Sequence, residues 1–159
     1  MASNQITFRK AERTDAAAVT QLINDAFRIV EEFFVDGDRI TVDGVVEHML
    51  SGEFLLAECE RKLVGSVYLE QRGDRSYLGL LSVDPTIQKG GLGSQVVLEA
   101  EAYCRNRGDK HMDISVVSLR EELLPFYSKR GYEEIGTLPF PSDVKLKVPC
   151  HFIQMSKAL

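Results

Sequence analysis

Two short stretches of the chain carry residue types whose spacing suits chemistry. The first is Gln88-Lys89-Gly90-Gly91-Leu92-Gly93, a glycine-rich turn between a strand-like run ending at Val83 and a run of helical periodicity. The first amides of a helix have no internal acceptors and lie at the positive end of its dipole, so they favour an anion. Glycines let the backbone approach phosphate oxygens closely. The stretch therefore suits a phosphate-bearing ligand or, more plainly, a tight turn that binds nothing. Two familiar phosphate loops fail on spacing. No GxxxxGK[ST] run exists, and in a GxGxxG reading Val96 stands where the last glycine belongs. The second stretch is Leu124-Pro125-Phe126-Tyr127-Ser128-Lys129-Arg130-Gly131-Tyr132. Its titratable phenol, Tyr127, taken alone reads as a core aromatic on an amphipathic helix.

The spacing Gln88-x-x-Gly91-x-Gly93, preceded by Leu81-Ser82-Val83-Asp84-Pro85, resembles the acetyl-CoA-binding motif of the GNAT acetyltransferase superfamily. The Leu124 to Tyr132 stretch is similar to that family's second signature, at the expected distance downstream. Element order matches along nearly the whole chain, although only these two motifs are specific. The resemblance implies an N-acetyltransferase that moves an acetyl group from acetyl-CoA to an amine by direct attack. It also implies roles. The backbone of Leu81, Ser82 and Val83 would pair with pantetheine. The Gln88 motif, through the amides of Lys89, Gly90, Gly91, Leu92, Gly93 and Ser94, would hold the pyrophosphate. Tyr127 would protonate the leaving thiolate, a fitting task for a phenol of pKa ~10 facing a thiol of ~8.5. No metal is implied.

The sequence departs from the family pattern in two places. Arg120 stands where many members carry asparagine, and the strands Leu78 to Val83 and Ile114 to Val117 offer no carboxylate base, only Ser82 and Ser115. Glu31, Glu32 and His48 are candidates by location, and each reads more simply as a surface group. The missing base leaves open a non-catalytic module that binds acyl-CoA. A nucleotide-dependent enzyme is a third possibility, weakened by the failed loops.

The elements that must position these residues follow from periodicity. Ile6 to Arg9 alternates as a strand. Thr14 or Asp15 offers an N-cap to a helix bearing Val19, Leu22, Ile23, Ala26 and Phe27, and a second helix carries Val45, Val46, Met49 and Leu50 up to Gly52. Phe54 to Glu58, Leu63 to Glu70 and Tyr77 to Val83 read as strands, and their short polar links predict an antiparallel meander. A helix with Leu92, Val96, Ala100 and Tyr103 on one face ends at Gly108, and Met112 to Val117 is a strand. Ser118 and Glu121 form a capping-box pattern for a helix through Leu119, Leu123, Phe126 and Tyr127, with a kink expected at Pro125 and a stop at Gly131. Tyr132 to Ile135 and Phe152 to Lys157 complete the order β-α-α-β-β-β-α-β-α-β-β, an α/β (α+β) mixed, splayed sheet flanked by helices. Prolines 139, 141 and 149 mark an irregular excursion between the last two strands.

The 159 residues suit one acetyltransferase domain, 1–159, since a chain of that size buries an adequate core unaided. Nineteen Lys+Arg against 24 Asp+Glu give a formal charge of −5, which disfavours nucleic acid as a partner. Cys59, Cys104 and Cys150 are isolated from one another, so neither a disulfide framework nor a zinc site is expected, and His111 and His151 read as structural. No leader or membrane-length apolar run is visible, and the reading is cytoplasmic, as monomer or homodimer. Between Glu31 and Glu53 lie seven acids and one strong base, Arg39. That imbalance predicts a negative acceptor wall that attracts cationic amines, faced by the Pro139 to Pro149 excursion with Phe140.

Overall fold

The computed structural model describes residues 5–32, 34, 37–87, 91–141 and 145–159. Gln88, Lys89 and Gly90 of the glycine motif, and Asp36 of the acidic run, lie outside the described residues. The elements follow in the expected order: β1 (Ile6–Lys10), a 3₁₀ turn (Arg13–Asp15), α1 (Ala16–Glu31), α2 (Val42–Ser51), β2 (Glu53–Cys59), β3 (Lys62–Arg72) and β4 (Arg75–Val83), then α3 (Leu92–Asn106), β5 (His111–Val117), α4 (Leu123–Ser128), β6 (Glu133–Pro139) and β7 (His151–Ala158). The strands form one sheet in the order β1-β2-β3-β4-β5-β7-β6, antiparallel except where β4 meets β5.

Local chemistry fixes the first half. Asp15 does not cap α1 with its side chain. Its carboxylate instead accepts the Glu12 amide at 2.7 Å and pairs with Arg9, which ties the helix entry to β1. Thr41 caps α2 through the Gly44 amide at 3.0 Å. Two-residue turns join the meander: Glu60-Arg61 with φ of 52° and 66°, and Gly73-Asp74 with the positive φ at Gly73. Strand β3 is buried from Val64 to Leu69 because α1 and α2 cover one face of the sheet and α3 the other. That explains its continuous burial, Ser66 included, rather than alternation. Each large aliphatic side chain buried there contributes about 1.5–3 kcal/mol relative to exposure.

The α2 exit is a close approach. A Cβ on Gly52 would meet the Leu69 carbonyl oxygen and lie 2.8 Å from the Tyr68 hydroxyl oxygen. Gly52→Ala is therefore expected to destabilise the fold by about 1–3 kcal/mol, because backbone cannot yield as a side chain can. The urea midpoint of unfolding reads this directly, and an unshifted midpoint contradicts it.

The parallel junction positions the site. Ladder pairing runs from Arg75↔His111 to Leu78↔Ile114 and then stops. At the closed end Arg75 grips Asp113 with two bonds of 2.8 and 2.7 Å and also reaches Ser156. Beyond it β4 is bulged. Val67 on β3 faces both Leu80 and Leu81, and Leu80 takes a φ of 51°, costly for a branched residue. The bulge turns the end of β4 away from β5, so the sheet splays as expected.

One expected helix differs. Ser118 and Glu121 form no capping box: the Ser118 hydroxyl accepts the His151 amide at 3.1 Å, and the helix starts only at Leu123. Pro125 explains this. In a helix reaching back to Leu119 its ring would displace a hydrogen bond, whereas from Leu123 it falls in the first turn, where no amide donor is needed. No interior kink arises, and Leu119 is outside the helix. Gly131 closes it at a φ of 95°.

Candidate functional site

The gap between the diverging ends of β4 and β5 is lined by apolar residues such as Leu81, Val117 and Phe152 and by the polar residues Glu31, Arg39, Tyr77, Ser115, Arg120 and Tyr127. From Gly79 onward β4 pairs with β3 on one edge only, through Ser66↔Ser82 and Gly65↔Val83. Its other edge, at Leu81 to Val83, has no strand partner among the described residues. Ser82 itself is buried and donates to the Leu80 carbonyl at 3.0 Å, so its hydroxyl supports the bulge rather than facing the gap.

The loop after β4 is braced before it reaches the glycines. Asp84 accepts from the Thr86 amide and hydroxyl at 2.9 and 2.7 Å, and its own amide donates to Val64. Gly91 then opens α3 at φ 69°, a left-handed conformation that suits glycine and strains a branched residue. The amides of Leu92, Gly93 and Ser94 follow in the first turn, where helical geometry supplies no acceptor. Gly93 differs from Gly91. A Cβ there would lie 3.8 Å from Phe126 and 3.9 Å from Val83, ordinary contact distances. Arg130, which lies within the second motif but has no expected role there, joins this turn. Its guanidinium bonds the Ser94 hydroxyl and stacks 3.7 Å from the Phe126 ring centre. A cation at a helix N-terminus makes that turn a stronger anion site than its amides alone.

Tyr127 lies on the same short helix, 5% exposed, with edge-to-face contacts to Phe126 and Tyr132 at 5.0 and 5.5 Å. It lines a cavity of about 130 Å³ in the splay, together with Leu81, Ser115, Val117, Phe152, Glu31 and Arg120. Its hydroxyl donates to no other described residue. Burial pushes its pKa up to about 12, opposed by the nearby charges of Arg120 and Arg130, so it is a neutral acid throughout the neutral range.

By sequence position Glu31 reads as a surface group, whereas in the structure it is 7% exposed at the end of α1 and lines the cavity. Burial raises its pKa, and Arg39 and Arg120 hold it down only in part from 4.0 and 3.9 Å. The helix periodicity of α1 does reach Glu31, but that this turn of helix overlies the splay is decided by packing. Arg120, at the position noted as a departure, lines the same cavity and pairs with Glu122 at 2.6 Å. His48 is elsewhere: its Nδ1 lies 2.8 Å from the Gly44 carbonyl oxygen, and its ring packs edge-on to Tyr68 at 4.7 Å. Glu32 is exposed at the rim of an adjoining cavity.

That second cavity, of about 230 Å³, shares Phe27, Glu31 and Arg39 with the first. Its walls correct the expected negative surface. Glu53 is remote, paired with Arg107 at 3.0 Å and Lys10 at 3.2 Å, and Asp43 and Glu47 are exposed on α2 outside the lining. Among the described residues the lining acids are Glu31, Glu32 and Asp38, and against them stand Arg28, Arg39 and Lys147. Arg28 precedes the counted run, and Lys147 comes from the Pro139 to Pro149 excursion. Phe140 of that excursion stacks on Phe152 at 4.3 Å.

An opened mixed sheet, a glycine-led helix N-terminus and a buried tyrosine at the gap form one constellation. A family model described as the acetyltransferase (GNAT) domain matches residues 23–157. The chain belongs to the GNAT acetyltransferase family. Its fold is shared with solved structures at low identity. The PaiA N-acetyltransferase of Thermoplasma acidophilum, crystallised in complex with coenzyme A, has a TM-score of 0.80 at 16% identity, over 98% of this chain and 99% of that one. A ribosomal-protein-alanine N-acetyltransferase of Brucella melitensis gives 0.77 at 20%, over 96% and 99%. The ribosomal-protein-S18-alanine N-acetyltransferase of Escherichia coli gives 0.76 at 16%, over 97% and 94%. Among the described residues no helix is long and apolar enough to cross a membrane.

Proposed function

We propose that the chain is an N-acetyltransferase that moves an acetyl group from acetyl-CoA directly to an amine. The observation that carries this reading is that Glu31 and Tyr127, a carboxylate of raised pKa and a neutral phenol, line one cavity beside the open edge of β4. Residues 1–159 act as one domain in this reading.

The donor fits the residues in hand. The free edge of Leu81 to Val83 offers main-chain groups to the amides of pantetheine. The Leu92, Gly93 and Ser94 amides with Arg130 take the pyrophosphate, joined by Gln88, Lys89 and Gly90 of the motif. Glu31 accepts a proton from the attacking amine as the carbon–nitrogen bond forms. Tyr127 gives its proton to the thiolate as the carbon–sulfur bond breaks, and solvent returns the Glu31 proton to Tyr127. Arg120 holds positive charge beside both groups while negative charge develops on the thioester oxygen and sulfur. Glu31 also answers the lack of a carboxylate on the strands, the one feature that favoured a non-catalytic module.

Two measurements test the donor half: calorimetric binding of acetyl-CoA, and thiol release over a panel of amines. Gly93→Val is the informative variant, because the structure has room for its Cβ while its branches would crowd the amides offered to phosphate. Acetyl-CoA affinity is expected to fall at least roughly tenfold, the equivalent of about 1.4 kcal/mol, with the fold retained by circular dichroism. Unchanged affinity in a folded variant removes the pyrophosphate assignment. Gly91→Val is a poorer test, since positive φ at that position adds backbone strain of about 1–2 kcal/mol to any loss of binding.

A further inference from the structure

The 230 Å³ cavity on the acceptor side of Glu31 has a charge pattern that the acetyl-transfer reading does not use. It is ringed by cations as well as acids, and its guanidinium groups are loosely paired among the described residues. Arg39 reaches Glu31 only at 4.0 Å, with its side chain 41% exposed. Arg28 reaches Asp25 and Asp38 only at 3.5 Å. A guanidinium has five donors in a planar fork, and neither contact is the bidentate pair that occupies them. Arg75, by contrast, grips Asp113 through two bonds of 2.8 and 2.7 Å. Lys147 donates to the Glu32 carbonyl at 2.8 Å, which leaves two of its three donors for another acceptor.

The walls are also held in place. Asn24 is buried and spends its amide on the Ile40 main chain, accepting at 3.0 Å and donating at 2.9 Å, which fixes the segment bearing Arg39 against α1. Phe27 lies under the Arg39 guanidinium, 5.6 Å from its ring centre, and supplies an apolar floor. A cationic amine without an anion would meet Arg28, Arg39 and Lys147 unfavourably on its way to Glu31. An amine that also carries an anion would satisfy both signs.

Resting on the acetyl-transfer reading, we infer that the acceptor is a small zwitterion: an amine with a carboxylate near its nitrogen, the carboxylate held by Arg39 and Arg28 while the amine faces Glu31. The cavity suits a free amino acid better than a polyamine or a peptide N-terminus, whose neighbouring carbonyl is amide.

Matched triads of acceptor test this: leucine, leucinamide and isoamylamine, and phenylalanine, phenylalaninamide and phenethylamine, with glutamate and lysine series to vary the side chain. Within at least one triad the free acid is expected to have a kcat/KM roughly tenfold or more above its amide and its decarboxylated amine, the scale of a charge-assisted bidentate contact. Arg39→Gln should narrow that ratio mainly through KM of the free acid. Amides or decarboxylated amines used as well as or better than the acids, or no free acid used at all, overturn the inference. Acetyl-CoA binding, measured separately by calorimetry on the same preparations, separates the two levels. Retained binding with the wrong triad order sinks only the zwitterion, whereas absent binding removes the acetyl-transfer reading and the inference with it.

Discussion

Tyr127→Phe is expected to lower kcat by roughly one to three orders of magnitude, the scale of acid–base catalysis, with little change in stability or in KM for acetyl-CoA. The substitution keeps the ring and its edge-to-face contacts with Phe126 and Tyr132. The lost hydroxyl donates to no other described residue, so no buried partner is left unsatisfied. The proposed pyrophosphate turn is untouched, which separates this variant from Gly93→Val. Full turnover in Tyr127→Phe would show that the thiolate leaves without help or takes its proton from water. A loss confined to KM would instead assign Tyr127 to binding.

Glu31→Gln should produce a larger effect on turnover together with an opposite effect on stability. As the base proposed for the amine, Glu31 is expected to contribute about 10²–10⁴ to the rate. Its stability effect follows from the direction of its pKa. Burial raises the folded pKa above that of the unfolded chain, so between the two values the folded state binds more protons. Stability then falls as pH rises from the unfolded value through the folded one, and the penalty persists at neutral pH. Glutamine removes the charge and with it the penalty. Arg120 keeps Glu122 at 2.6 Å, so its cation retains a partner. Thermal melts at pH 7 should show Tm unchanged or raised for Glu31→Gln, with the gain shrinking toward pH 4. Activity gained at the expense of stability is typical of a group placed for function. A variant that is both fully active and less stable would mark Glu31 as a structural partner of Arg39 and Arg120.

Tyr127→Phe and Glu31→Gln also divide the proposed reaction between donor and acceptor. Loss at Tyr127 should fall on any acceptor alike, since the thiolate is common to all. Loss at Glu31 should be partly relieved by acceptors of low amine pKa, which are unprotonated without a base. The amide members of the acceptor triads supply that comparison, and equal losses across the series would argue against proton removal by Glu31.

The cavity lined by Glu31, Glu32 and Asp38 shows why counting charges along the chain misleads. Seven acids and one strong base between Glu31 and Glu53 suggested a negative wall. Glu53 is drawn off to Arg107 and Lys10 at the far end of β2, and Lys147 arrives from more than a hundred residues downstream. Linear density holds for exposed helix faces, where neighbours in sequence are neighbours in space. It fails in a cavity built from α1, the segment after it and the excursion before β7.

What the sequence determined by itself is what short-range physics controls. Period-two and helical spacings placed every strand and helix in order, because alternation and the 3.6-residue repeat are properties of the local backbone. The Gln88 to Gly93 and Leu124 to Tyr132 stretches carried the resemblance to the family, since a glycine-led helix start and a helix ending at glycine each need particular residue types at fixed offsets. Tertiary structure decided the rest. The start of α4 moved from Ser118 to Leu123 because Pro125 is tolerated only in a first turn and Ser118 had a partner in His151 across the sheet. The positive φ of the bulge falls on Leu80, a branched residue, rather than on the neighbouring Gly79, and the pairing of Leu80 and Leu81 with a single β3 residue creates the splay. Glu31 became buried because the end of α1 lies over that splay. A carboxylate's environment depends on which elements pack across it, and no local pattern of residues encodes that contact.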